Sequence, residues 1–150
     1  MKNWFTITLL ASALVMGCKK SHTHSGHHHH DPPHGGTGVT LGDEAYHLEF
    51  VRDAATGRMQ CYILSGHMAG FTRIAMPAFE VEAMVGDKAE TLTFKPVENT
   101  RTGETVGDTS LYEAQADWLK TTETFDGTVK MIEIKGTKFA DVKFNFPKGN

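Results

Sequence analysis

The sequence predicts an all-β fold, an antiparallel sandwich or small barrel of about seven strands, preceded by a disordered His-rich tether. Three observations point there. From Leu41 onward the apolar residues alternate with period two rather than 3.6. Turn signals, Ala54-Ala55-Thr56-Gly57 and Gly86-Asp87 among them, punctuate the alternating runs. Finally, seven of the nine His lie between His22 and His34, in a stretch with no apolar period at all. The chain therefore divides into a leader over 1–17, a tether over 18–40 and a β domain over 41–150.

The clearest element of that domain is a hairpin, Glu44–Asp53 with Arg58–Ser65. A four-residue loop built on a type I turn wants a left-handed residue near its end, and Gly57 supplies it. Pairing Asp53 with Arg58 sets Phe50 opposite Cys61, Leu48 opposite Ile63 and Tyr46 opposite Ser65. One face then carries Tyr46, Leu48, Phe50, Met59, Cys61 and Ile63. The other, more polar, carries His47, Glu49, Val51, Gln60, Tyr62 and Leu64. A one-residue slip would exchange the two sets, so the register is strongly specified.

A second hairpin follows, with Phe79, Val81, Ala83 and Val85 alternating against Glu80, Glu82 and Met84, then turning at Gly86-Asp87 into Ala89–Lys95. Pro96–Asp108 reads as irregular. Ser110–Ala116 reads as a strand and Asp117–Lys120 as one helical turn, with Trp118 and Leu119 packed inward. Val129–Lys135 and Phe139–Phe146 close the domain around Gly136, with Val142, Phe144 and Phe146 on one face. No internal repeat or second domain is evident.

The leader and tether are of a different kind. Lys2 precedes an apolar run, Trp4 to Met16, of the length of a signal-peptide core and short for a spanning helix. It ends in Leu14-Val15-Met16-Gly17-Cys18, which resembles the bacterial lipobox, in which the Cys is acylated and becomes the mature N-terminus. The expectation is a lipoprotein attached to a membrane through acyl chains on Cys18, each buried methylene adding about 0.8 kcal/mol. Lys19 replaces the Asp that resembles an inner-membrane retention signal, so in a host with two membranes the periplasmic face of the outer membrane is expected. Acylation leaves Cys61 alone, which excludes an intramolecular disulfide. The formal charge of −3 and pI near 6.3 provide no basic field for nucleic acid.

Residues 19–40 contain Pro32, Pro33, Gly35, Gly36 and Gly38, which oppose a helix. Their imidazoles are the chemistry. His22, His24, His27, His28, His29, His30 and His34 together offer several sets of three or four nitrogens, suited to borderline divalent ions such as Zn²⁺ or Cu²⁺. Binding requires neutral rings and so weakens as pH falls through about 6.

Within the domain, His47 sits beside Glu49, and His67 follows a strand in Ser65-Gly66-His67-Met68-Ala69-Gly70. That His-Met pair between glycines could present N and S donors to Cu(I). Nucleophile elbow, zincin helix, phosphate loop and dinucleotide fingerprint are all missing from the sequence. Glu80 and Glu82 read as a solvated strand face and Cys61 as a small core residue. A non-enzymatic role is expected.

The segment His28–Ile74 is similar to one in small periplasmic bacterial proteins, and near the start of some adaptor subunits of heavy-metal efflux systems. The features that carry the similarity are the His-rich lead, Pro33-His34-Gly35-Gly36, Leu41-Gly42, Tyr46-His47-Leu48-Glu49 and Tyr62-Ile63-Leu64. The resemblance implies periplasmic metal handling, with His34 and His47 carried over. The chain has neither the long helical hairpin nor the lipoyl-like halves of an adaptor, so the implied role is that of an accessory binding protein. The competing expectation is an envelope module that binds a protein or glycan, with the His tract as a spacer.

Overall fold

A computed structural model describes residues 31–150. Cys18, His22, His24 and His27 to His30 lie outside the described residues, as does the leader. Eight antiparallel strands make one sheet: β1 (Thr37–Leu41), β2 (Tyr46–Asp53), β3 (Arg58–Ser65), β4 (Phe79–Val85), β5 (Lys88–Pro96), β6 (Leu111–Gln115), β7 (Phe125–Ile134) and β8 (Thr137–Phe146). Their spatial order is β1-β2-β3-β6-β5-β4-β7-β8. The sheet curls until its two edges nearly meet, giving a small, almost closed barrel, as the alternation predicts.

β5 makes the corner on one side. Its length pairs with β4 through Val85↔Lys88 to Phe79↔Phe94, while its last residues, Lys95 and Pro96, pair with Glu113 and Tyr112 of β6. On the other side the seam between β1 and β8 is bridged by the C-terminal residue. The Asn150 side-chain oxygen accepts from Thr40 N at 2.8 Å, and its Nδ2 donates to Thr40 O at 3.2 Å. That side chain takes the place of a strand partner at an otherwise open edge.

The expected hairpin register is found throughout, with Asp53↔Arg58, Phe50↔Cys61, Leu48↔Ile63 and Tyr46↔Ser65. Gly57 has φ +70°, the left-handed conformation the loop demands. Inside, aromatic rings fill the barrel. Phe50 stacks on Phe144 with centroids 4.8 Å apart, Phe79 stacks on Phe94 at 4.9 Å, and Phe125 stacks on Phe146 at 5.2 Å. Each such pair adds about 0.5–1.5 kcal/mol to the area its rings bury. The 3₁₀ turn Asp117–Lys120 forms where expected, burying Leu119 and setting Trp118 edge-on to Phe125. Outside, Glu80 and Glu82 are exposed, the apolar partners of β4 facing inward.

One feature differs from the expectation and a second goes beyond it. The domain begins earlier than Leu41, because Thr37–Leu41 is itself a strand, paired from Thr37↔Phe50 to Leu41↔Tyr46. Its short TGVTL sequence has only two large apolar residues, too few to register as alternation. The second is that the more polar, outer face of β2 and β3 is partly covered. His47, Glu49 and Leu64 are buried there. Two segments cover them: residues 31–36, and the loop after β3, tied down by Ser65 N to Gly70 O at 2.7 Å and Thr72 N to Ile63 O at 2.8 Å.

Candidate functional site

The segment over β2 contains the end of the His tract, and its residue types account for its path. Gly35 N donates to Pro32 O at 3.0 Å, closing a tight turn through Pro33 and His34. Gly35 then takes φ +69°. Gly36 lies flat against β2, where a Cβ would come within 2.6 Å of Phe50 O and 2.9 Å of Glu49 Cγ. Any larger residue would lift the segment off the sheet. Pro33-His34-Gly35-Gly36 is thus a turn followed by a close approach, and it delivers His34 to the barrel wall.

Glu49 receives it. The Glu49 side chain is fully buried, and three donors converge on it. His34 N reaches Oε1 at 2.7 Å and Gly36 N reaches the same oxygen at 3.0 Å. His34 Nδ1 meets Oε2 at 2.8 Å. A carboxylate is an acceptor only, so Nδ1 carries the proton of this bond. Tyr62 lies under the ring, stacked at 3.7 Å between centroids and 11° between planes. Phe71 flanks both rings and is 57% exposed. The His34 side chain keeps 33% of its surface open to solvent. The phenol of Tyr62 is held above its ordinary pKa by burial first and by the Glu49 charge second.

The other two histidines of the domain are near this wall in different settings. His47 is buried on the outer face of β2, paired across the ladder with Thr40 and Leu64. His67 lies in the 3₁₀ turn Gly66–Met68, 65% exposed, with Nδ1 3.9 Å from Glu44 Oε2. Both His67 and Met68 have positive φ, +58° and +52°. Met68 points back over β1, where its Cε would lie 2.7 Å from a Cβ at position 38, so Gly38 makes room for it. Among the described residues no three His, Cys, Asp or Glu side chains gather into a group that could hold a metal ion. His34, His47 and His67 therefore do not form a joint centre by themselves.

Elsewhere the titratable groups serve the fold. Cys61 is buried inside the barrel, and desolvation, with the Glu49 charge adding to it, pushes its thiol well above the ordinary range. Burial raises the pKa of Glu104, but hydrogen bonds outweigh it, from Ser110 Oγ and Thr102 Oγ1 at 2.6 Å each and Ser110 N at 2.9 Å. These bonds, with Arg73 alongside, organise the long irregular segment before β6. An open groove of about 500 Å³ is lined by Arg73, Met76, Met131, Glu133 and Lys135. Its Met76 is tied into the packing, Sδ receiving Glu133 N and the carbonyl receiving Tyr112 Oη at 2.7 Å.

Glu49 and Tyr62 are the residues of this site that sequence reasoning did not single out. Gly35 and Gly36 read only as residues that oppose a helix; a glycine pair also permits a close approach, but nothing local names the surface approached. No protein-family model, curated protein or solved structure matches the chain.

Proposed function

We propose that this is a lipid-anchored extracytoplasmic metal-binding protein. Cys18 carries the acyl chains, the His tract from His22 to His34 takes up Zn²⁺ or Cu²⁺, and the barrel supports contact with a partner such as a metal-efflux component. The observation that carries the reading is the density of donors: seven imidazoles within His22–His34, directly ahead of a folded barrel. Imidazole nitrogen suits borderline divalent ions. The role is buffering or handing on, since so many imidazoles offer several alternative sets of three or four donors.

Calorimetric titration of the full chain with Zn²⁺ and Cu²⁺, beside a variant with all seven tract His replaced by Ser, tests it. Strong heats lost in the variant support the reading, and equal, negligible heats in both defeat it. Palmitate labelling lost on Cys18→Ser tests the anchor.

A second reading is favoured by one observation, the exposed Phe71 beside Tyr62 and His34. Aromatic faces of this kind bind proteins or sugars, and the barrel would then be an envelope interaction module with the tract as a spacer. On that reading the seven-Ser variant keeps both function and metal tolerance.

A further inference from the structure

We infer that the groove beside β7 is a strand-addition site for an extended, acidic peptide. The peptide pairs with the open edge of β7 at Met131 and Glu133. It sets an apolar side chain on Met76 and Met131 and an acidic one against Arg73 and Lys135. The inference goes beyond the metal-binding reading above and does not depend on it.

The edge arises where two strands part. β4 and β7 pair from Met84↔Asp126 to Val81↔Val129, and no further among the described residues. Past that point Phe79 and Glu80 of β4 pair with β5, and β7 runs on to Ile134 paired with β8. The β7–β8 ladder is interrupted at the same level, where Asp141 takes φ +51° and its carboxylate meets Lys130 Nζ at 3.0 Å. Beyond the break, the side of β7 turned from β8 faces residues 73–77 across the groove of about 500 Å³. A smaller groove of about 260 Å³ continues it toward Phe79 and Glu80, and Met76 and Met131 line both.

The edge is only weakly satisfied. Glu133 N donates to Met76 Sδ at 3.0 Å. A thioether is a weak acceptor, so a peptide carbonyl in its place makes the stronger bond. Alternate residues of a strand turn their backbone groups to the same side, so Met131 presents its N–H and C=O beside those of Glu133. The Met76 backbone is held by Tyr112 Oη on its carbonyl at 2.7 Å, and only its flexible side chain has to swing aside.

In strand addition the main chain supplies affinity, and contacts to alternate side chains supply selectivity. Met131 is 41% exposed and offers an adaptable apolar surface. Arg73 and Lys135 set two cations against Glu133, whose carboxylate already has Lys138 Nζ at 3.8 Å. A cationic groove on a chain of formal charge −3 favours an acidic strand over a basic one.

The experiment titrates the full chain against short capped peptides that alternate Val, Ile, Leu or Met with Asp or Glu. The same peptides with Lys for each acid run beside them. The acidic set is expected to bind, with the Lys set at least about tenfold weaker and affinity falling as salt rises. N-methylation of the alternate peptide amides that face β7 removes binding, whereas methylation of the other set leaves it. Hydrogen exchange slows at the Met131 and Glu133 amides when peptide is bound. Met131→Asp weakens binding by about tenfold through like charge, and Lys135→Asn by up to about fivefold. Both positions are exposed, and Asn suits the φ of +48° at Lys135, so unchanged melting curves verify the fold. No binding by any peptide at about 1 mM overturns the inference. So does binding that Met131→Asp and both methylation sets leave unchanged, or equal binding of the Lys set. Protection of the same two amides that appears without peptide and tracks dimer formation assigns the edge to a second copy and also overturns it.

Discussion

His34 and Glu49 join the end of a histidine tract to the wall of a barrel, with Nδ1 of one 2.8 Å from Oε2 of the other. The carboxylate that receives the ring also receives the His34 and Gly36 amides, so one buried side chain holds a whole segment on the sheet. Replacing Glu49 by Ala removes all three bonds at once. Each buried donor left without a partner costs about 1–3 kcal/mol, but the segment can lift off and let water satisfy its amides. The expected loss is therefore about 2 kcal/mol, with the Gly36 amide becoming fast in hydrogen exchange. Glu49→Gln keeps an acceptor for the amides and loses about half as much. Unchanged Gly36 protection in Glu49→Ala would contradict the role assigned to the carboxylate.

Gly127 faces the ring of Phe144, where an added Cβ would stand 2.5 Å from Cε1 and Cζ. The ring cannot retreat, because it stacks on Phe50 across the interior. Gly127→Ala should lower stability by about 1–3 kcal/mol, as overpacked cores do. Pairing it with Phe144→Leu should return part of the loss, a coupling that a double-mutant cycle in guanidinium measures directly. Strict additivity of the two substitutions would show that the ring and the glycine do not constrain each other.

Tyr112 is buried with its hydroxyl on Met76 O, and desolvation, with the neighbouring Cys61 thiol adding to it, pushes its pKa up to about 12. The unfolded chain would ionise near 10. The neutral phenol therefore contributes stability that is present in full below pH 10 and lost as pH rises through about 12, on the order of 2–3 kcal/mol. Tyr112→Phe should be about 1 kcal/mol less stable at pH 7, having left the Met76 carbonyl unpaired, yet fall less steeply between pH 10 and 12. Melting curves of both proteins across that range give the comparison, and parallel declines would refute it.

Cys61 lies inside the barrel with a thiol held largely protonated by its surroundings. Only the thiolate attacks disulfide reagents, and only if they can reach it. In native buffer an Ellman-type reagent should leave Cys61 untouched, with labelling governed by unfolding and becoming immediate in denaturant. Labelling of the folded protein at a rate near that of the denatured control would place the thiol elsewhere.

Part of this fold is encoded locally. The hairpin of β2 and β3, its register and its inward residues follow from alternation and a four-residue turn, both settled within twenty positions. The 3₁₀ turn at Asp117–Lys120 and the inward set of β4 were legible for the same local reason. β1 was not, because two apolar residues in five do not make a pattern until a neighbouring strand supplies the other half of the ladder.

An all-β domain, the pairing of its first two hairpins and the concentration of imidazoles at one end follow from the order of residues alone. Alternation and turn chemistry act on neighbours, and composition is a property of the chain. That His34 is held, and by Glu49, follows only from long-range pairing. Glu49 stands fifteen residues from His34, and Thr40 is joined to Asn150 across 110. Such pairs are brought together only when the sheet curls and its outer face is covered. A buried carboxylate then needs donors, and the histidine that two glycines allow close to the sheet is the one that meets it.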